Sequence, residues 1–475
     1  MTRSASILHF LLLAAGAVSS IQVAAGGTAA VPNSSDDYQI IVSKQTLASK
    51  EWKLVVEALV EKHGGSVTTY SASPKEVLGK LSELHPRYTC FVATREEATK
   101  EFVASVHQLT RAIDDDPYTD TFWGILTGFD AQNALGIANH REPLVVRKVA
   151  SGTEFAIELC EEGLWYDELV KNKFVLKEKN GEVQYLGCPS DTTEALVGAL
   201  NEYKPDLFIT SGHATEANWQ IGFRYRNGYF KSKAGQMYGE DTTRKQHAVD
   251  SPNAKVYLPI GNCLMGNING RNAMALAWMN DCGVKQMIGY TVPTWFGYGG
   301  WGVLDYFVEQ PGRYSLTEAY FANHQALLHS IEMQSGNQQG LKFDRDVVAF
   351  YGDPKWEARM ASADLAYGQT LTIEDGLYTF TVTPNLGESS FEPINTNGAQ
   401  RGWRPIVHWL PHRVSGVQIE SGADLKPLVT DDFILIPNPR TCDPSKSYQV
   451  TFRASAFEPK QEAPEAGEAI QGASQ

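Results

Sequence analysis

The chain has 475 residues, 43% hydrophobic and 11% aromatic, with a formal charge of −14 and a pI near 5.3. That length suits roughly three domains of about 150 residues, each able to bury a core of its own. An acidic chain is repelled by nucleic-acid phosphates and anionic lipid headgroups, so neither is expected as a partner.

The first residues read as a leader. Arg3 is the positive start, Ile7 to Val18 is an apolar core too short to span a bilayer comfortably, and Val23-Ala24-Ala25 offers small residues for cleavage after Ala25. Residues 1–25 are therefore expected to be a signal peptide, and the protein to be exported: secreted, periplasmic or at the cell surface, without membrane insertion.

A first α/β unit is expected over 38–150. Tyr38–Ser43, Val67–Tyr70 and Tyr88–Ala93 read as strands, and Trp52, Val55, Val56, Leu59 and Val60 repeat at helical spacing before Gly64. Ser73-Pro74-Lys75-Glu76 reads as a capping box, and Phe102 to Ile113 as a third helix. Asp114 to Asp130, acidic and aromatic with glycines, reads as a loop and short strand beside a cleft.

A second α/β unit is expected over 151–360. A helix carrying Leu196, Val197, Leu200 and Tyr203 ends at Pro205, and the apolar strand Leu207–Thr210 runs into Ser211-Gly212-His213. Arg224 to Asp250 reads as an exposed polar insertion. Val256 to Ile260 then leads into Gly261-Asn262-Cys263, followed by a helix over 272–281, a strand over 286–290, a helix ending at Glu309 and a capped helix from Ser315 to about Gln334. Alternating strands and helices predict an α/β fold, with parallel sheets covered by helices on both faces in two subdomains. Beyond Ala361 the pattern turns to period two, in Tyr378, Phe380 and Val382 and in Tyr448, Val450 and Phe452, predicting a C-terminal β-sandwich over 361–457. The stretch 458–475 lacks aromatics and is expected to be a disordered acidic tail.

Six cysteines at 90, 160, 188, 263, 282 and 442 lie far apart with no CxxC pair, which argues against a zinc ribbon. The chemistry concentrates at 207–263. A cysteine becomes a nucleophile beside a base, and histidine is the base whose affinity for protons lies near neutrality. The loops at the carboxyl ends of parallel strands share one crevice, so adjacent strands would bring His213 and Cys263 together across a separation of 50 residues. Taken alone, a cysteine after an apolar strand is more often a buried structural residue.

These motifs resemble the gingipain-type cysteine peptidases, relatives of caspases and legumains. The likeness is carried by Gly212-His213, with Glu216 and Trp219 after it, by Gly261-Asn262-Cys263 with Gly266, and by Val348 to Pro354, which ends in Gly352-Asp353-Pro354. It spans about residues 38 to 457 and implies a caspase-like catalytic domain before an immunoglobulin-like β domain. It implies a secreted endopeptidase acting on protein or peptide substrates. Cys263 would form the acyl-enzyme, His213 would shuttle the proton, and the backbone N–H groups of Ala214 and Cys263 would hold the oxyanion. Ala214 departs from the glycine that usually follows the histidine, which puts the loop conformation in question. Glu216, Trp219, Trp295 and Asp120 are candidate cleft residues, and Asp116, Asp120, Asp130 and Glu216 are candidates to orient His213 or read a basic side chain. The chemistry needs no cofactor. Members of the family can bind a structural calcium ion, but no run here matches an EF-hand loop and no ligands are assigned.

Two other readings stand beside it. His213-Ala214-Thr215-Glu216 has the start of an HxxEH zinc motif, but Ala217 replaces the second histidine, and His247 lies in a polar run. A catalytically inactive, exported binding or assembly protein would keep the fold with a silent site.

Overall fold

The computed structural model describes residues 22–24, 37–396 and 401–457. The expected leader, apart from 22–24, and the tail over 458–475 lie outside the described residues. Among the described residues no helix is long and apolar enough to cross a membrane.

Twelve strands form one sheet. In chain order they are β1 (Tyr38–Ser43), β2 (Ser66–Tyr70), β3 (Tyr88–Val92), β4 (Phe122–Leu126), β5 (Lys148–Ser151), β6 (Glu162–Tyr166), β7 (Lys173–Lys177), β8 (Val183–Gly187), β9 (Leu207–Thr210), β10 (Lys255–Pro259), β11 (Val284–Tyr290) and β12 (Val348–Gly352). Their order in space is β8-β7-β6-β5-β9-β10-β11-β12-β4-β3-β1-β2. β1, β4, β9, β10 and β12 are buried along their whole length, as mostly apolar strands in a helix-covered sheet should be.

β12 is where the two halves meet. It runs antiparallel to β11 but parallel to β4, with Tyr351 opposite Ile125. The two expected α/β units therefore share a single sheet. The stretch from Asp114 to Asp130, expected as a loop and short strand beside a cleft, does hold a strand, but an inner one with no cleft beside it. Phe122-Trp123-Gly124-Ile125-Leu126 is a fully buried inner strand, because an unbroken apolar run pairs on both edges even with a glycine inside it.

The junction is held by Asp353, which follows β12 and is buried. Its carboxylate accepts hydrogen bonds from Tyr38 Oη (2.8 Å), Lys62 Nζ (2.8 Å) and His63 Nε2 (2.7 Å). Lys62 and His63 end the helix Lys50–His63, which Ser49 caps and Gly64 terminates in the left-handed conformation. Burial by itself raises the Asp353 carboxyl, but the hydrogen bonds and charges of His63 and Lys62 outweigh it and hold the group well below the usual carboxylate range.

The presumed insertion at 224–250 is a correction too. Asn218–Gln220, Tyr229–Lys233, Gln236–Glu240 and Gln246–Ala248 form a four-stranded antiparallel sheet. Phe230 and Met237 are buried beneath it, and Phe230 stacks on Trp278 of the helix Met274–Asn280. The alternation at 229–233 was masked by its lysines.

The C-terminal domain is a β-sandwich. Tyr367–Glu374, Leu377–Pro384, Tyr448–Ala456 and Val414–Ser421 form one sheet, with Gln22–Ala24 on its edge, and Ile406–Trp409, Phe433–Ile436 and Leu428–Val429 form the other. Tyr378, Phe380, Ile434 and Val450 belong to the core between the sheets, while Val407, Trp409, Phe433 and Leu435 belong to the core of the α/β body. Trp409 meets Phe122 edge-on at 4.6 Å between ring centroids.

Asp353→Asn leaves Lys62 without its buried counter-charge and is expected to cost about 3 kcal/mol at pH 7. A lowered carboxyl stabilises the fold above its unfolded value, near 4, and loses that contribution as pH falls toward the folded value. The stability gap between wild type and variant in urea unfolding should therefore begin to narrow below about pH 4; a gap that stays constant from pH 3 to pH 7 would contradict the role given to this carboxylate.

Candidate active site

His213 and Cys263 leave the carboxyl ends of neighbouring parallel strands. Leu207 to Thr210 of β9 pair with Val256 to Pro259 of β10, and Ile260 N–H continues the ladder to Thr210 O at 3.0 Å. The two exits are then cross-tied by Asn262, which is wholly buried. Its Oδ1 accepts from Thr210 Oγ1 at 2.5 Å, and its Nδ2 donates to Gly212 O at 3.0 Å. Thr210 spends its one hydroxyl proton on Asn262, so the Tyr257 hydroxyl, 2.8 Å away, donates to Thr210.

The turn at His213 needs Gly212. Its φ is +92°, and a Cβ there would meet Glu168 Oε2 at 2.8 Å. Ala214 is not among the residues with positive φ, so the left-handed step of this loop falls at 212 and alanine fits at 214. Ala214 bridges Trp219, and the flanking bonds run from Gln220 N–H to His213 O and from Thr215 N–H to Asn218 O, both 2.8 Å. Among the described residues neither the Ala214 nor the Cys263 amide donates to a backbone carbonyl. His213 is exposed, and its ring stacks on Phe223 with centroids 4.6 Å apart.

Cys263 is half-buried. Its sulfur accepts from Thr294 N–H at 3.2 Å, and the thiol reaches Thr294 O at 3.6 Å. Leu264 follows in the left-handed region, φ +57°, and donates to Val292 O at 3.1 Å. The nucleophile candidate is therefore held on one side by β9 and on the other by the segment after β11.

A cavity of about 280 Å³ opens beside these turns, lined by Thr153, Glu168, Gly212, Gly261, Trp295 and Trp301 among others. Gly261 is needed for close approach, since a Cβ there would lie 2.5 Å from Ser211 Oγ. Glu168 is buried and accepts from Thr153 Oγ1 at 2.7 Å. Burial pushes its carboxyl up to about 7, against the opposing hydrogen bonds of Thr153 and Ser211. Arg401 closes the cavity from the β-sandwich, donating to Glu309 Oε1 at 2.8 Å with its guanidinium 5.4 Å from the Trp301 ring.

The other expected residues separate. Trp295 is 63% exposed and lines the cavity. Trp219 has no exposed surface and donates its indole N–H to Ser211 O at 2.7 Å, so it supports the loop from beneath instead of lining a cleft. Glu216 accepts from Asn269 Nδ2 at 2.7 Å and joins the histidine loop to the segment after Cys263. Asp120 is also a correction: it precedes β4, with β11 and β12 between that strand and β10, and its backbone carbonyl accepts from Arg413 of the β-sandwich. Asp116 receives Tyr118 N–H, and Asp130 caps the helix Ala131–Ala138. His247 bonds Asp241 at 3.1 Å, and the one acidic group of metal-binding dimensions among the described residues includes none of His213, Glu216 and His247.

Glu168 escaped the sequence reading. Gly163-Leu164-Trp165-Tyr166 is an apolar strand running into Asp167-Glu168, the same strand-exit signal that singled out His213 and Cys263.

No protein-family model matches the chain, and no curated protein matches it. Among solved structures it is similar to the crystal structure of the Arg-specific cysteine proteinase gingipain R (RgpB), at 10% identity and a TM-score of 0.48, over 90% of this chain and 99% of that one. It is also similar to the complex of Porphyromonas gingivalis RgpB pro- and mature domains, at 10% identity and a TM-score of 0.46, over 89% of this chain and 100% of that one.

Native-state alkylation should modify Cys263 first and the half-buried Cys188 second, while Cys90, Cys160, Cys282 and Cys442 react only on unfolding, since all four are buried. Peptide mass mapping over time reads the order, and uniform rates would remove the distinction. Glu168→Gln should leave stability nearly unchanged at pH 4 and raise it by up to about 3 kcal/mol at pH 9. A carboxyl raised on folding is at no disadvantage below its unfolded value, and the fold loses stability as pH rises through about 7. Thermal melts at the two pH values check the sign.

Proposed function

We propose that the chain is an exported cysteine endopeptidase whose dyad is His213 and Cys263. The observation that carries this reading is the parallel β9–β10 pair, which brings the two loops to one edge of the sheet beside a cavity. In the proposed reaction His213 takes the Cys263 thiol proton as sulfur attacks the scissile carbonyl. The tetrahedral oxyanion is held by the Ala214 and Cys263 amides. The C–N bond breaks as the imidazolium protonates the leaving amine, leaving a thioester. Water, deprotonated by His213, then releases the acid and restores the thiol. The side chain preceding the scissile bond enters the cavity toward Glu168, which in its ionised form accepts hydrogen bonds from a basic or amide-bearing group.

A second reading, an inactive binding module, draws on the contact of Thr294 with the Cys263 sulfur: a substrate must displace that peptide or bind around it. The two readings part in one experiment. Wild type, Cys263→Ala and His213→Ala are assayed on an unbiased peptide library. An active wild type with activity at least about 10³-fold lower in both variants is the expected result. A wild type that cleaves nothing favours the binding module, and cleavage undiminished in both variants removes the dyad.

A further inference from the structure

A general base works only when its ring nitrogens are aimed, and an imidazole on an exposed loop turns about two side-chain bonds. Four acidic residues are candidates in the sequence to aim His213, and each stands elsewhere. Glu216 accepts from Asn269, Asp116 receives Tyr118 N–H, Asp130 caps a helix, and Asp120 turns its backbone carbonyl to Arg413. Glu168, the buried carboxylate beside the cavity, accepts from Thr153 Oγ1 and packs against Gly212. Among the described residues no carboxylate is bonded to the His213 ring.

One contact does hold that ring. Its face stacks on Phe223, with centroids 4.6 Å apart and planes inclined by 28°, a geometry in which aromatic rings attract. The phenyl ring is itself fixed to the exit of β6. Phe223 N–H donates to Glu168 O at 2.7 Å, Arg224 N–H reaches the same oxygen at 3.2 Å, and Tyr225 Oη donates to Asp167 O at 2.6 Å. Gly222 makes the turn before it, with φ +68° and room for no Cβ, which would lie 3.0 Å from Tyr225 O. Gln220 N–H donates to His213 O at 2.8 Å, so the segment 220–223 grips the histidine by its backbone at one end and by its ring at the other. Phe223 is 42% exposed and lines the cavity, so its ring stands at the mouth of the chamber and not in the core.

Given the dyad proposed above, on which this inference rests, we infer that Phe223 is the positioning residue of His213. A carboxylate in that role bonds one ring nitrogen and fixes the tautomer. A phenyl face fixes the plane of the imidazole and leaves both nitrogens free, for the proton taken from sulfur and for its delivery to the leaving amine. The same face attracts a cation, and the imidazolium is the form that arises as the thiol gives up its proton. Both effects need a π face, so an aliphatic side chain of similar bulk is no substitute.

The test uses the full chain with Phe223→Leu, Phe223→Tyr and His213→Ala. On the best peptide of the library, Phe223→Leu should lower kcat about tenfold with KM changed less than about twofold, and Phe223→Tyr should keep kcat within about twofold of wild type. A second readout needs no peptidase activity: the rate at which iodoacetamide modifies Cys263 at pH 7, followed by peptide mass mapping. That rate should fall in Phe223→Leu toward the His213→Ala value and stay at the wild-type value in Phe223→Tyr. A rate lowered by His213→Ala but not by Phe223→Leu, or leucine serving as well as tyrosine, overturns the role of Phe223 and leaves the dyad standing. A rate unchanged in His213→Ala removes the dyad and this inference with it.

Discussion

The parallel ladder between β9 and β10 is the constraint on which the site depends. Neighbouring strands in a sheet stand about 4.8 Å apart. A histidine and a cysteine placed just past the ends of two such neighbours must share one crevice, however long the chain between them. Here that chain holds a whole four-stranded sheet, folded away to the side. Asn262 makes the ladder specific. From the exit of β10, both ends of its amide bond the exit of β9, so the turns cannot slide past each other without leaving a buried amide unsatisfied. Trp219 supports the same turn from below through Ser211. Much of what surrounds the two side chains serves to hold the two turns in register.

The sheet's reversal at β12 decides which half of the molecule can contribute. The strands of the first half run with β12 and so against β11. Their carboxyl-end loops emerge on the opposite edge from His213 and Cys263. The first half is therefore a buttress for the second, and Asp353 is the fastening. A charged residue in so dry a place is tolerable only because three donors converge on it from the first strand and the first long helix. Gly352-Asp353-Pro354 reads in the sequence as a family signature, and its physical content is this junction.

The inner strands were legible because burial on both faces leaves unbroken apolar runs, and the helices because their caps are written in short motifs such as Ser315-Leu316-Thr317-Glu318. The strand exits bearing His213 and Cys263 were legible for the same reason. What escaped was structure whose apolar content is diluted. The lysines of 229–233 hide a strand with one buried face, and the half-exposed β7 and the edge strand β8 beyond it carry little periodic signal. Asp120 was misplaced because an acidic residue near glycines resembles a cleft residue until its partners are known. The partner it has, Arg413, lies about 300 positions downstream, a separation that periodicity cannot cross.

The β-sandwich is not an appended module. Trp409 and Phe433 belong to the core of the α/β body, and Arg401 forms part of the wall of the cavity that Gly212 and Gly261 also line. The cavity next to the two strand exits is thus walled from both domains. If the sandwich swung away it would take Arg401 with it and leave that chamber open on one side, so a shift in how the domains seat against each other is also a change in the shape of the pocket.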